Sequence, residues 1–195
     1  QASAITGRVP DPAQETDAVK QQTLLSALQY MGLEPGMPLA EIAITHAFIG
    51  SCTNGRIEDL RAAAAIIDGH KIAPHVRGII VPGSTQVRQQ AEAEGLAAIF
   101  VNAGFEWRQS GCSMCLAMHD DVLAAGDRCA SSTHRNFDGR QGPGARPPLM
   151  RPALVASAAT AGPLPDVRPL APQARPMPPL APLPGRAAPP LPATP

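Results

Sequence analysis

The hydrophobic positions of this chain form two kinds of segment, which alternate as far as about residue 160. Amphipathic or alanine-rich segments predict helices at residues 17–31, 57–67 and 84–94. Short, nearly continuous apolar runs between them predict buried strands at residues 42–49, 76–81 and 97–101. Because strands that alternate with helices are typical of parallel sheets, this pattern predicts an α/β domain with a largely parallel sheet flanked by helices.

Glycines and small polar residues lie where these elements begin and end. Gly32 follows the first predicted helix, and Asn54 is available to cap the helix at 57–67. At residues 83–85, Gly-Ser-Thr joins a strand to a helix, where it would either cap the helix or offer amide donors to an anion. We expect capping at this junction.

The composition changes sharply near Gly162. From Pro163 to Pro195, 13 of 33 residues are proline, and most of the others are alanine, leucine and arginine. Because proline removes backbone donors and blocks both helix and sheet, we expect a folded domain at 1–162 and an extended, disordered tail at 163–195. The tail is either a proline-rich ligand for a partner domain or a dispensable or frame-shifted end, and composition favours the second.

Charge and hydropathy exclude some classes of partner. Sixteen lysines and arginines balance sixteen aspartates and glutamates, so no overall field would attract nucleic acid or a membrane surface. The chain has neither an apolar run of roughly 18 residues nor a signal-peptide pattern, which predicts a cytoplasmic protein. Its first residue is Gln1 rather than methionine, so we expect it to be part of something longer.

The placement of cysteines is the strongest chemical signal in the chain. Cys52 follows a predicted strand in Gly-Ser-Cys-Thr-Asn, and Cys112 and Cys115 form Gly-Cys-Ser-Met-Cys in a second loop. Loops that follow parallel strands gather along one edge of the sheet, so three thiolates can converge there. We expect Cys129 to lie in another strand, as a packed thiol rather than a ligand.

Three converging thiolates are compatible with several kinds of site. A structural zinc site needs four protein ligands, and Cys129 does not belong to a second C-x-x-C. A four-iron cluster held by only three cysteines leaves one iron open as a Lewis acid, which suits catalysis. A redox pair at Cys112 and Cys115 and a simple buried thiol at Cys52 stay open on spacing alone.

Arg135 and Arg140 lie five residues apart in a glycine-flanked loop. Each guanidinium can bind a carboxylate with two hydrogen bonds, so the pair is a candidate clamp for a dicarboxylic acid. Arginines that only contact solvent are the alternative. The five histidines show no spacing typical of metal ligands.

Four segments together resemble the aconitase superfamily of iron-sulphur hydro-lyases: residues 48–54 (FIGSCTN), 105–108 (FEWR), 111–118 (GCSMCLAM) and 135–140 (RNFDGR). The resemblance extends over about residues 5–162. The form Cys-Ser-Met-Cys-Leu-Ala-Met looks like the bacterial branch that acts on isopropylmalate rather than aconitase itself. The chain resembles the C-terminal, cluster-binding portion of the large subunit in that branch.

The resemblance implies a [4Fe-4S] cluster on Cys52, Cys112 and Cys115, whose open iron would bind the hydroxyl and carboxylate of a hydroxy-dicarboxylate substrate. It also implies that Arg135 and Arg140 contact the substrate or support the site. The implied reaction is the interconversion of 2- and 3-isopropylmalate by dehydration and rehydration in leucine biosynthesis. A separate small subunit is the implied partner.

Some positions depart from the family pattern. His134 stands where the family usually has asparagine, and Gly55 stands where it usually has serine. Residues 147–152 differ from the family's stretch, and the acid-base residues of the family's earlier domains have no counterpart. We therefore expect the chain to be inactive alone. A non-catalytic cluster-binding or sensing module and a structural zinc domain are the alternative functions.

Overall fold

The computed structural model describes residues 7–117, 121–135 and 137–164. These ranges form four short strands: β1 (His46–Gly50), β2 (Arg77–Val81), β3 (Glu106–Trp107) and β4 (Cys129–Ser131). They also form six α-helices: α1 (Ala18–Met31), α2 (Ser51–Asn54), α3 (Ile57–Ile67), α4 (Thr85–Ala93), α5 (Leu96–Ala103) and α6 (Pro152–Ala161). The predicted helices at 17–31, 57–67 and 84–94 are confirmed, and so are strands near 42–49 and 76–81.

All four strands run parallel, in the order β3-β2-β1-β4. Strand β1 lies between β2 and β4, with Gly50 opposite Val81 and Phe48 opposite Ser131. Strand β3 pairs with the other side of β2. The predicted α/β architecture with a parallel sheet is confirmed, and the carboxyl ends of the strands meet at one edge.

Helices α3, α5 and α6 pack together on one face of the sheet. Because side chains alternate along a strand, only every second strand residue points to this face. These strand residues are Ala47, Ile49, Ile80 and Ala130. The helical residues that pack against them include Leu60, Ala63, Ile67, Phe100, Val155 and Ala159. This face contains the main hydrophobic core.

The opposite face of the sheet carries a smaller apolar cluster. Its strand residues are Phe48, Ile79, Val81 and Cys129. Loop residues complete it: Met114, Cys115, Leu123 and Ala145. The loop that contains two of the candidate cysteines is therefore part of the packing of the sheet.

Helix α1 lies on the surface. The Asp17 side chain accepts hydrogen bonds from the Val19 and Lys20 amides at its start, and Gly32 ends it with a left-handed φ of 55°. None of its residues is buried. Within the described ranges, no helix is long and apolar enough to cross a membrane.

Residues 97–101 lie within helix α5, so the prediction of a strand there was wrong. The buried residues Leu96, Phe100 and Ala103 are spaced by four and three positions, as on one face of a helix. A glycine with left-handed backbone precedes the helix and another follows it. A five-residue apolar run does not distinguish strand from helix, whereas the flanking glycines and the wider spacing do.

Strand β3 and helix α6 were not predicted. Strand β3 has only two residues, too few to form a recognisable pattern. Helix α6 begins at Pro152, a residue tolerated in the first turn of a helix, and packs against α3 and β1. Pro163 and Leu164, assigned to the predicted tail, belong to the fold, because the Leu164 N–H donates to the Ile42 carbonyl and Leu164 is buried. The rest of that predicted tail, residues 165–195, lies outside the described residues.

Candidate functional site

The predicted site residues follow the carboxyl ends of three different strands. Cys52 comes two residues after β1, Cys112 comes five residues after β3, and Arg135 comes four residues after β4. Because the strands are parallel, their loops leave the sheet at the same edge. The three segments with candidate chemistry therefore leave the sheet at this edge.

Cys52 lies in the single turn α2, directly after β1. The preceding Gly50 has a φ of 134°, and a Cβ at this position would collide with the Val81 carbonyl of the neighbouring strand. Ser51 also has a left-handed φ, 73°, which is unusual for a residue with a side chain. The Cys52 thiol that follows this strained corner is exposed.

Turn α2 is attached to the loop after β4. The Gly50 N–H donates to Ser132 Oγ at 3.0 Å, and the Asn54 side-chain amide donates to the Ser132 carbonyl. The Thr53 hydroxyl lies 2.9 Å from His134 Nδ1. His134, which departs from the family pattern, therefore contacts the residue next to the first candidate cysteine.

The start of α3 is stabilised differently from the prediction. Asn54 does not cap this helix, because its amide donates to the loop after β4. Instead, the Arg56 N–H donates to Asp59 Oδ2 at 3.3 Å in the first turn. At the start of α4, the expected cap is confirmed, since Ser84 Oγ accepts from the Val87 N–H at 3.2 Å.

Residues 112–117, called the cysteine turn below, cover the smaller core cluster. Their central part is a 3-10 turn in which the Cys115 N–H donates to the Cys112 carbonyl at 2.9 Å. Ser113 has a φ of 45°, so the turn is strained. Met114 is buried in the cluster. This packing leaves Cys112 exposed and Cys115 buried.

Arg140 binds the buried cysteine of this turn. Its Nε donates to the Cys115 carbonyl at 2.8 Å, and its Nη2 donates to Cys115 Sγ at 3.1 Å. The guanidinium also lies over the Phe137 ring, 5.3 Å from its centroid. Arg135 is exposed. In this arrangement Arg140 is hydrogen-bonded to the cysteine, and the clamp of both guanidiniums on one substrate stays a prediction.

Asp121 contacts the cysteine turn, although it was not among the predicted site residues. Its Oδ2 accepts from Ser113 Oγ at 2.6 Å, and its Oδ1 accepts from Arg108 Nη2 at 3.2 Å. Arg77 Nη2 lies 3.7 Å from the same carboxylate. No signal in the sequence indicates these contacts, because Asp121 and Ser113 belong to irregular loops without a periodic pattern.

Cys52, Cys112 and Cys115 are the residues that would hold a cluster. Among the described residues, no three or more histidine, cysteine, aspartate or glutamate side chains form a group placed to hold a metal ion. The buried hydroxyls of Ser51 and Ser110, one beside each cysteine loop, have no hydrogen-bond partner among the described residues. Such donors can bind the sulphur atoms of a cluster, so these residues fit the group.

Cys129 lies in β4 and is fully buried. Burial raises the pKa of its thiol far above the ordinary value. Because the thiolate is the form that binds metals, a thiol kept protonated is a poor ligand. The position agrees with the expectation that Cys129 is a packed thiol.

Comparison with known proteins identifies similar chains. The model of the aconitase family (aconitate hydratase) matches residues 1–162. Over 170 residues the chain is 70% identical to the 3-isopropylmalate dehydratase large subunit 2 of Salmonella typhimurium and 70% identical to that of Salmonella choleraesuis. Over 168 residues it is 67% identical to the 3-isopropylmalate dehydratase large subunit 1 of Mannheimia succiniciproducens.

These alignments cover most of this chain and a smaller share of each relative. Both Salmonella alignments cover 87% of this chain and 36% of the relative. The Mannheimia alignment covers 86% of this chain and 35% of the relative. The chain therefore spans about a third of the length of the curated relatives that it matches.

Proposed function

Because this chain belongs to the aconitase family, we propose that it is the cluster-binding portion of a hydro-lyase that interconverts 2- and 3-isopropylmalate in leucine biosynthesis. The observation that carries this proposal is the arrangement of the cysteines. Two exposed thiols, Cys52 and Cys112, and a third, Cys115, that accepts a hydrogen bond from Arg140 follow strand ends at one edge of the sheet. The names of the similar proteins support this substrate.

Cys52, Cys112 and Cys115 would hold a [4Fe-4S] cluster. When bound, such a cluster supplies a Lewis acid, at the iron without a protein ligand, for the hydroxyl and carboxylate of a hydroxy acid. The exposure of Cys52 and Cys112 supports a site that opens to solvent, where a small substrate can enter.

Arg140 and Arg135 would then have different tasks. Arg140 holds the Cys115 carbonyl and sulphur at 2.8 and 3.1 Å, and its positive charge offsets part of the negative charge of three thiolates. Arg135, exposed on the same loop, is the guanidinium that would bind a substrate carboxylate with two hydrogen bonds. Arg140 would therefore hold the cysteine that binds the cluster, and Arg135 would bind the substrate.

The partners of this activity are part of the proposal. The relatives are named large subunits, which supports a separate small subunit as partner. Because the chain spans about a third of those relatives, the groups that transfer protons in the reaction would come from outside it. We propose a cytoplasmic setting, without nucleic acid or membrane partners, in agreement with the balanced charge.

A chimeric enzyme tests the proposed activity. Residues 7–162 of this chain replace the matching segment of the Salmonella typhimurium large subunit, which is assayed with its small subunit for dehydration of 3-isopropylmalate. The proposal predicts activity within about tenfold of the parent enzyme, which corresponds to a change of about 1.4 kcal/mol in the barrier. The same chimera with Cys52→Ser should be inactive.

The chimera also separates the proposed enzyme from a non-catalytic cluster-binding module. A chimera that binds a full cluster and does not dehydrate 3-isopropylmalate would contradict the enzymatic proposal. That outcome would support a sensing function for this chain, an alternative that the exposure of Cys52 and Cys112 also allows.

A further inference from the structure

We propose that Asp121 is a positioning residue that holds the cysteine turn in its strained shape and thereby keeps the Cys115 sulphur in place. This inference deepens the proposed function. It rests on that function only for the identity of the group that the thiols bind, the [4Fe-4S] cluster. It concerns the geometry of residues 112–117, which is a property of the chain itself.

The Asp121 carboxylate connects the cysteine turn to the sheet. One oxygen accepts from Ser113 Oγ at 2.6 Å, inside the turn. The other accepts from Arg108 Nη2 at 3.2 Å, just after β3, and Arg77 of β2 lies 3.7 Å away. The turn is therefore attached through a single carboxylate to two neighbouring strands.

The bond to Ser113 lies where the backbone is least favourable. Ser113 has a φ of 45°, in a region that residues with a Cβ seldom adopt. A hydrogen bond of 2.6 Å to a carboxylate is short and charge-assisted, so it can stabilise this conformation. Loss of the carboxylate would release the side chain that keeps residue 113 in its left-handed conformation.

The surroundings of Asp121 favour a fixed position. The residue is 7% exposed, so it has little freedom to move toward solvent. Two arginines, Arg77 and Arg108, offset its charge, and both also pair with Glu106 in one ion-pair network. A buried carboxylate with such partners is a rigid support for the turn.

The turn is held on its other side by different contacts. Arg140 binds the carbonyl and sulphur of Cys115. Met114, in the middle of the turn, is buried in the smaller core cluster. Asp121 thus supports the start of the turn, whereas Arg140 supports its end. Without Asp121, we expect the turn to open from its start and expose Cys115.

Thiol labelling of the full chain tests this proposal without any bound group. The rate at which N-ethylmaleimide modifies each cysteine is followed by peptide mass spectrometry in the native protein and in Asp121→Ala and Ser113→Ala. The proposal predicts that Cys115 is modified about tenfold faster in both variants, the factor expected for losing a hydrogen bond to a charged group. Cys129, which is buried in β4 of the same cluster, should stay protected.

Cys129 and a matched variant distinguish local positioning from general destabilisation. Glu106→Ala removes a carboxylate of the same network that does not contact Ser113, so Cys115 should react as slowly as in the unchanged chain. The double variant Asp121→Ala with Ser113→Ala should expose Cys115 no more than either single variant does. Each single change already removes the same hydrogen bond between Ser113 and Asp121. Equal protection of Cys115 in all variants would overturn the proposal. Parallel exposure of Cys115 and Cys129 would also overturn it.

Cluster reconstitution with iron and sulphide separates this inference from the proposed function. If the unchanged chain assembles a cluster, Asp121→Ala should lose iron to a chelator about tenfold faster than Glu106→Ala does. If the unchanged chain assembles none, the cluster in the proposed function fails, while the labelling rates of Cys115 still decide the role of Asp121.

Discussion

Backbone conformation at three residues determines where the candidate cysteines lie. Gly50 and Ser51 form a left-handed corner before Cys52, and Ser113 forms another after Cys112. Left-handed backbone is unfavourable for residues with a Cβ, so the surrounding contacts must maintain it. These contacts involve the loop after β4 at the first corner and Asp121 at the second. Strain of this kind is frequent at functional sites.

Replacing Gly50 tests the first corner. Gly50→Ala should lower the free energy of unfolding by more than about 2 kcal/mol, because a Cβ adds steric overlap with the Val81 carbonyl to the cost of a left-handed backbone. Gly36→Ala is the matched control, with a φ of 76° and nothing within 4 Å of the added Cβ, and should cost only about 1 kcal/mol. Urea unfolding measures both. Equal losses would contradict the close contact between β1 and β2.

The two arginines of the loop after β4 should differ in their effects. Arg140→Ala should speed the loss of iron from reconstituted protein by about tenfold or more, because Cys115 loses a charge-assisted hydrogen bond. Arg135→Ala should leave iron retention unchanged and raise the KM of the chimeric enzyme for isopropylmalate. Iron release to a chelator and steady-state kinetics measure the two effects. The reverse pattern would contradict the separate tasks assigned to the two arginines.

At the level of elements, ion pairs join the starts of β2 and β3 close to Asp121. Arg77 donates to Glu106 at 2.7 and 3.3 Å, and Arg108 lies 2.6 Å from the same carboxylate. The hydrogen bond from Arg77 holds the pKa of the Glu106 carboxyl below its ordinary value, and the charges of both arginines add to this effect. A carboxyl with a lowered pKa in the folded state contributes stability above its unfolded pKa of about 4.3.

The stability of the protein should therefore fall as the pH decreases from about 4.3 through the lowered pKa of Glu106. Because Arg77 and Glu106 are 42% and 38% exposed, solvent limits the contribution of the pair to about 0.5–1 kcal/mol. Glu106→Gln should remove that part of the pH dependence, whereas Glu41→Gln, at an exposed position, should not. Urea unfolding at pH values between about 3 and 6 measures it. An unchanged pH profile in Glu106→Gln would contradict this account.

Sequence patterns predicted the elements that have a regular periodicity. The helices near 17–31, 57–67 and 84–94 have capping residues or a spacing that requires no tertiary information. The run at 97–101 was assigned wrongly because a buried helix and a buried strand look alike over five residues. Helix α6 was missed because prolines flank it, although proline is acceptable at its first residue.

At the scale of the whole molecule, the described fold continues two residues beyond the predicted domain end at Gly162. Leu164 is buried and its N–H donates to the Ile42 carbonyl at 3.1 Å, while Pro163 pairs with Ala43. These contacts join the end of the described chain to the segment that leads into β1. The stability of the domain should therefore depend on Leu164, and the proline-rich composition of residues 165–195 predicts that they add little to it.

Truncation of the chain tests how far the residues that contribute to stability extend. A chain that ends after Leu164 should unfold at the same urea concentration as the full chain. A chain that ends after Gly162 should lose about 2 kcal/mol, because a buried leucine is removed. A loss of stability in the longer truncated chain would mean that residues 165–195 contribute to the fold.

The sequence predicted which loops with candidate chemistry follow strand ends, but not the contacts inside those loops. Parallel topology places strand-end loops at one edge, so the sequence sufficed to expect Cys52, Cys112 and Cys115 on the same side. The bond from Arg140 to Cys115 joins residues 25 positions apart, and no sequence periodicity specifies it. The same applies to the contact between Asp121 and Ser113. Only the packing of the loops on the smaller core cluster establishes these contacts.

The proposed function rests on a [4Fe-4S] cluster held by Cys52, Cys112 and Cys115. The most direct measurement is the content of iron and acid-labile sulphide after anaerobic reconstitution, in the unchanged chain, Cys52→Ser and the control Cys129→Ala. We expect about four irons and four sulphides per chain, lost in Cys52→Ser and retained in Cys129→Ala. No cluster in the unchanged chain, or a full cluster in Cys52→Ser, would contradict it.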